Sequence, residues 1–235
     1  MKMPNTRSLS ATLDAVNEAA FYDRPLPRPA RGATAEWIAS RQGRPGSYAG
    51  LFAPTARDFR DGIRFFTGER FATHAGVAHC LGEEAGRALI LLGVKSPAVR
   101  SALTAANDAM ASRLADARRR EAGAGRPFRG QYCCGRCSVA LWRHLAAGGL
   151  TGIGPERWLA AGVKGLRTER DGRGRWRRFP FHFALLALTE IDLPGAVAEM
   201  RYAAPALQRS LARSGASDVY ARRRRDLAER VLARC

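Results

Sequence analysis

The apolar residues of this chain recur at the spacing of an α-helix over most of its length. Between residues 69 and 92, for example, Leu81, Ala85, Leu89 and Leu92 share one helical face. The alternation of apolar and polar residues that marks a half-buried strand is not found anywhere in the sequence. The pattern therefore predicts an all-α protein of about nine or ten helices.

Capping and breaking residues set the expected helix boundaries. Ser8 or Ser10 can cap the first helix, and the prolines within residues 22–32 end it. Gly93 is suited to close one long helix, and Ser96-Pro97 to open the next. The predicted helices cover residues 8–21, 35–41, 51–66, 69–92, 97–121, 133–147, 155–168, 181–191, 193–212 and 217–233.

A short segment occurs three times: glycine, any residue and an aromatic residue, followed by an apolar run. The copies are Gly46-Ser47-Tyr48, Gly130-Gln131-Tyr132 and Gly174-Arg175-Trp176. Their aromatic residues are 84 and 44 residues apart, so the first gap is nearly twice the second. A period of about 40–45 residues fits one helical hairpin per repeat, and glycine permits the tight turn. We therefore expect stacked hairpins, with inner helices beginning near residues 49, 133 and 177.

The first copy of the turn, Gln42-x3-Gly46-x-Tyr48, and the hairpin rhythm resemble the α/α toroid of terpenoid (squalene-type) cyclases and protein prenyltransferase β subunits. The resemblance covers residues 34–212. It implies a partial α/α toroid over residues 34–235, preceded by an N-terminal helix and a proline-rich link over residues 1–33. It also implies an apolar cavity for an isoprenoid or other lipid-like ligand, and a transferase or cyclase acting on a prenyl diphosphate. The acidic Asp-x-Asp-Asp motif of the cyclases is absent from the sequence, and no catalytic residue is assigned.

Cys134, Cys137 and His182 are the candidate metal ligands. The two cysteines are three residues apart and share one helical face, and His182 follows the third repeated turn as Cys137 follows the second. Thiolate and imidazole ligands suit Zn²⁺ and leave one position for a substrate. The resemblance points to the same cofactor, since Cys137 and His182 match two of the prenyltransferase zinc ligands, while Gly135 stands where the aspartate would. The alternative is that these residues are core residues and that the protein has no cofactor.

Two further observations bear on the metal ligands. His144 lies about 10 Å along the helix from Cys137, which places it outside the same site. His79 and Cys80 are adjacent in sequence and point about 100° apart on a helix, which argues against joint ligation.

The third turn is rich in arginine, and guanidinium groups pair well with phosphate oxygens. Near the mouth of a toroid these arginines can hold a diphosphate, but the same residues can contact a nucleic-acid backbone or form a solvated turn. The predicted substrate-binding residues are Arg173, Arg175, Arg177, Arg178, Tyr132 and Trp176.

The net charge of +18 permits a different function. Arginine contributes 36 of the 39 basic residues, which is typical of a coding bias, and the charge is spread along the chain. The alternative to an enzyme is a non-catalytic basic helical scaffold that binds nucleic acid or an acidic protein.

The sequence also predicts where the chain resides. It has no apolar run long enough for a membrane span and no apolar segment of a secretory signal near Met1. An odd number of cysteines then favours reduced thiols in a cytoplasmic protein.

Overall fold

The computed structural model describes residues 5–71, 73–212 and 218–235. These residues form ten helices and one small antiparallel ribbon, which confirms the all-α prediction. A short 3₁₀ turn covers Thr151–Ile153. The helices are α1 (Leu9–Phe21), α2 (Arg28–Ala39), α3 (Ala56–Asp61), α4 (His74–Leu92), α5 (Pro97–Gly123), α6 (Gly135–Ala146), α7 (Pro155–Thr168), α8 (Phe181–Glu190), α9 (Pro194–Leu211) and α10 (Val219–Leu232), and the strands are β1 (Ile63–Arg64) and β2 (Arg70–Phe71).

Three boundaries predicted from capping residues are confirmed, at Ser8, Ser96 and Gly93. Ser8 caps α1 by accepting a hydrogen bond from the backbone N–H of Ala11, and Ser96 caps α5 in the same way. Gly93 ends α4 in the left-handed conformation with φ of 61°, where a side chain would be strained. Two prolines of the predicted break, Pro27 and Pro29, instead begin α2, so the helix predicted over residues 35–41 starts earlier.

The prediction of a single helix over residues 51–66 is wrong. Only α3 is helical there, and Gly62 (φ 67°) leads into the ribbon of β1 and β2. The carboxylate of Asp58 caps α3 together with Thr55 and also accepts hydrogen bonds from the Ser8 hydroxyl and the Leu9 backbone N–H. This contact with α1, far away in the sequence, fixes a short helix where the apolar spacing alone indicates a long one.

Other boundaries shift by smaller amounts. Helix α4 begins at His74 rather than residue 69, and α6 begins at Gly135 rather than residue 133. The predicted start of the last helix at Ser217 lies outside the described residues, and α10 begins at Val219.

Five helices follow one another in a ring: α1 contacts α4, α4 contacts α6, α6 contacts α8, α8 contacts α10, and α10 returns to α1. Helices α4 and α6 run in the same direction, since Cys80 lies against Cys137 and Glu84 against Arg143. Helices α5, α7 and α9 each return along the inner helix that precedes them. The pairs α4–α5, α6–α7 and α8–α9 are therefore helical hairpins.

Two of the three predicted inner-helix starts correspond to ring helices. Helices α6 and α8 begin shortly after the second and third repeated turns. The start predicted near residue 49 is wrong, because residues 49–55 are not helical and the next ring helix is α4.

A charged cluster lies where α1, α4, α6 and α8 converge. The guanidinium of Arg143, 1% exposed, donates to Glu84 at 2.7 and 2.8 Å, to Glu190 at 3.0 Å and to Asn17 at 2.8 Å. Arg87 donates to Asn17 and Glu190, both at 2.7 Å. We call these five residues the ion cluster; its two arginines and two glutamates balance in charge. Among the described helices, none has the length and apolarity needed to cross a bilayer.

Candidate thiol–imidazole site

The three repeated turns adopt the conformation that their glycines permit. Gly46, Gly130 and Gly174 have φ values of 86°, 59° and 87°, a region that glycine adopts without the strain that a side chain would cause. The aromatic residues of the first two turns converge on one histidine of α4. Tyr48 stacks on His79 with ring centroids 3.9 Å apart, and Tyr132 meets the same ring edge-on at 4.8 Å.

His79 belongs to a group of thiols between the start of α6 and the first half of α4. The Sγ atom of Cys137 lies 3.5 Å from that of Cys134 and 3.8 Å from that of Cys80. One ligand atom each of His79, Cys133 and Cys137 lies within 4.8 Å of the others. We call these five residues the thiol–imidazole cluster.

The predicted metal ligands are only partly brought together. Cys134 and Cys137 are adjacent, as their spacing implies. His182 instead lies beside Glu69, with its Nδ1 atom 3.8 Å from a carboxylate oxygen, and is not part of the close group. His79, from α4, lies in the close group with Cys133 and Cys137. Cys133 precedes α6, so helical spacing within α6 does not indicate its position.

A buried carboxyl group lies behind His79. The Nε2 atom of His79 is 3.2 Å from Oε1 of Glu83, one turn further along α4, and Glu83 is fully buried. Within the described residues, neither Glu83 oxygen, nor His79 Nε2, nor the Tyr132 hydroxyl makes a hydrogen bond of good geometry. Since Nε2 faces Glu83, Nδ1 is the nitrogen left to face a ligand.

Burial controls the charge of these two residues. Desolvation lowers the pKa of His79 to about 4 and raises the pKa of Glu83 well above its ordinary value. His79 is therefore neutral at pH 7 and has a lone pair available for a metal ion.

The two cysteines of the Cys134-Gly135-Arg136-Cys137 segment ionise differently. The side-chain hydrogen bond between Cys134 and Cys137, with backbone N–H groups at the start of α6, lowers the pKa of Cys134 to about 5. The neighbouring sulfur of Cys134 and burial raise the pKa of Cys137. At neutral pH the pair is therefore a thiolate beside a thiol.

The basic third turn borders this cluster. The carbonyl oxygen of Arg178 packs so closely on Gly135 that a Cβ atom there would be 2.2 Å away. The predicted arginines Arg173, Arg175 and Arg177 are exposed, and Arg175 lies over the ring of Phe181. They occupy the solvent side of the turn, where an anion can reach them.

The two aromatic residues predicted to bind substrate lie in the core. Tyr132 is 6% exposed and contacts His79, and Trp176 is 4% exposed and donates its indole N–H to Glu199 at 2.9 Å. In this structure both contribute to packing rather than to an open surface.

Four cavities lie away from the thiol–imidazole cluster. One of them has mainly apolar walls and a volume of about 500 Å³; it lies between α5 and α7 and is lined by Leu114, Ile153 and Trp158, together with Arg118 and Arg119. The ring centre at the ion cluster is filled by charged side chains.

Chemically, the thiol–imidazole cluster offers a neutral imidazole and several thiols, a donor set that suits a soft or borderline metal ion. Comparisons with protein-family models, with curated proteins and with solved structures found no match to this chain.

Proposed function

We propose that this chain is a zinc-binding helical protein whose metal ion is held by His79, Cys133 and Cys137. The observation that supports this is the close approach of their three ligand atoms, all within 4.8 Å. Zn–S and Zn–N bonds of about 2.3 and 2.0–2.1 Å would require only small side-chain movements from there. Glu83 is consistent with the same assignment, because its carboxyl group lies 3.2 Å behind His79 Nε2, where a small rotation would let it accept the N–H of a metal-bound imidazole. Three protein ligands leave a fourth position, which Cys134 or a substrate can take.

The chemistry that zinc supplies at such a position is activation of a bound thiol or water as a nucleophile. We propose a transferase or cyclase reaction in which the third-turn arginines hold an anionic group of the substrate, of which a prenyl diphosphate is the expected example. The likeness of the hairpin order to the α/α toroid of prenyltransferases and terpenoid cyclases supports this. Because the ion cluster fills the ring centre, the isoprenoid chain would lie outside it; the cavity between α5 and α7 has suitable walls.

Metal analysis of protein purified without chelator tests the zinc site. We expect about one zinc ion per chain, lost in His79→Ala and in Cys137→Ser. The two substitutions should destabilise the protein non-additively, since one ligand is of little use without the other. His182→Ala is the matched control and should keep its metal.

Two results would contradict this zinc site. One is wild-type protein that stays without zinc after reconstitution. The other is metal lost from His182→Ala but kept in His79→Ala, which would restore the ligand set expected from sequence.

The filled ring centre also favours a second candidate function, a non-catalytic basic scaffold for nucleic acid or an acidic protein. The exposed arginines of α10, Arg222 and Arg225, and those of the third turn supply its charge. Binding of a DNA or RNA duplex that weakens steeply between about 50 and 200 mM salt would support a nucleic-acid partner. The absence of binding to either duplex at low salt would exclude one.

A further inference from the structure

We infer that Cys134 and Cys137 form a dithiol–disulfide pair that exchanges with disulfides of other molecules, an activity separate from metal binding. The inference begins with distance. Their Sγ atoms are 3.5 Å apart, about 1.5 Å more than a disulfide bond. Rotation of the Cys134 side chain, which precedes the first residue of α6, can close that gap without moving the helix.

The two sulfur atoms differ in access in the way that exchange requires. Cys134 is exposed and can meet a disulfide from solution, whereas Cys137 is 2% exposed and meets only the neighbouring sulfur atoms of this chain, of which that of Cys134 at 3.5 Å is nearer than that of Cys80 at 3.8 Å, with that of Cys133 within 4.8 Å. Cys134 is therefore the attacking residue and Cys137 the resolving residue.

The backbone between the two cysteines is held in place. Gly135 is pressed against the carbonyl of Arg178, and Cys137 lies within the first turn of α6. The Ser138 hydroxyl accepts a hydrogen bond from the backbone N–H of Tyr132, which ties the segment before the cysteines to the same helix. These contacts hold the backbone on both sides of the pair, which favours closure by a side-chain rotation over a movement of the helix.

The reaction balances with a disulfide RSSR as oxidant. The Cys134 sulfur attacks one sulfur of RSSR, its S–S bond breaks, and the first RS⁻ leaves and takes a proton. The Cys137 sulfur then attacks the Cys134 sulfur of the mixed disulfide, and the second RS⁻ leaves with the remaining proton. Two protein thiols are oxidised to one disulfide, and RSSR is reduced to two RSH.

The test uses the full chain with a chelator present, so that its outcome does not depend on the zinc site. The protein is equilibrated with mixtures of oxidised and reduced glutathione, free thiols are alkylated, and disulfides are mapped by mass spectrometry. We expect one intramolecular disulfide, Cys134–Cys137, formed and reduced reversibly as the glutathione ratio changes.

Variants separate the two roles. Cys137→Ser should lose the intramolecular disulfide and accumulate a mixed disulfide with glutathione at Cys134. Cys134→Ser should lose both, and Cys235→Ser, which removes an exposed cysteine outside the cluster, should behave like wild type. Circular dichroism shows whether each variant is folded.

Three results would overturn the inference. One is wild-type protein that forms only mixed disulfides. Another is a disulfide that links Cys137 to Cys80 or to Cys133 in place of Cys134, and the third is folded Cys137→Ser protein that still forms an intramolecular disulfide at Cys134.

Discussion

Substitution of Arg143 by methionine tests whether the ion cluster holds the helix ring together. Arg143 connects α6 to α4 through Glu84, to α8 through Glu190 and to α1 through Asn17. Methionine has a similar length and no charge, so the variant leaves the Glu84 carboxylate, 5% exposed, with only the side-chain amide of Asn17 as a partner.

The size of the effect follows from that stranded carboxylate. Removing one partner of a buried ion pair costs about 3–5 kcal/mol, much more than the pair itself contributes. For a chain of this length, that corresponds to a fall in melting temperature of about 6–20 °C. Arg57→Met is the control: Arg57 pairs with Asp61 at the surface, and its loss should cost less than about 1 kcal/mol.

Urea denaturation followed by far-UV circular dichroism measures both variants, provided that the slope with urea is unchanged. The double variant Arg143→Met/Glu84→Gln should be more stable than Arg143→Met, because the stranded charge is gone. If Arg143→Met loses no more stability than Arg57→Met, or if Glu84→Gln gives no recovery, the ion cluster does not support the ring.

Further predictions concern pH and close packing. Burial lowers the pKa values of His79, His144 and His182 to about 4 in the folded protein. The unfolded chain therefore takes up their protons first as pH falls, and the free energy of unfolding should fall between pH 6.5 and 4, by about 2 kcal/mol per histidine at pH 5. The raised pKa of Glu83 acts in the opposite direction. Urea midpoints at pH 7 and at pH 5 measure the net change in stability. A change in midpoint between these two pH values that is the same in wild type and in His144→Gln would refute a role for His144. Gly135→Ala places a Cβ atom 2.2 Å from the Arg178 carbonyl oxygen and should lower the free energy of unfolding by about 1–3 kcal/mol. The control Gly123→Ala, at an open position in α5, should be neutral or stabilising. Equal melting temperatures of the two variants would contradict the packing of the third turn on α6.

The parts of the fold that the sequence predicts are those set by local chemistry. Ser8 and Ser96 cap the starts of α1 and α5, and Gly93 ends α4, each through contacts within one turn of its own position. These three boundaries lie where the sequence predicts them. The helix prediction for residues 51–66 fails because the Asp58 carboxylate accepts a hydrogen bond from the start of α1. No local sequence pattern indicates this contact. Phe52, Ile63 and Phe66 are buried as their spacing implies, yet none of the three lies in a helix.

The candidate site could be predicted only in part for a related reason. Cys134 and Cys137 are close because three residues separate them on one turn, which the sequence shows directly. His79 approaches Cys137 because α4 and α6 run side by side. The two aromatic rings that contact His79, those of Tyr48 and Tyr132, come from two different turns. Arg143 is likewise indistinguishable in the sequence from the many exposed arginines, since only the tertiary structure buries it.

The pairing of α4 with α6 connects the two unusual clusters of this protein. Gly82 and Gly86 let α4 pack closely against its neighbours, since a Cβ atom at either position would meet Leu51 or His144 within about 3 Å. The same two helices carry the thiol–imidazole cluster near their beginnings and the ion cluster further along. Because the ion cluster fixes the helices, the separation of Cys80 from Cys137 is set by the helix pair itself.

Cys133 and Cys134 are different, because they precede α6 and their side chains can turn without moving a helix. Cys137 is the fixed sulfur in both proposals: Cys133 and His79 would join it around a zinc ion, and Cys134 would join it in a disulfide. One sulfur atom cannot serve as a thiolate ligand and as half of a disulfide at the same time. Zinc bound at this site should therefore protect Cys137 from oxidation, and oxidation of the pair should release the metal.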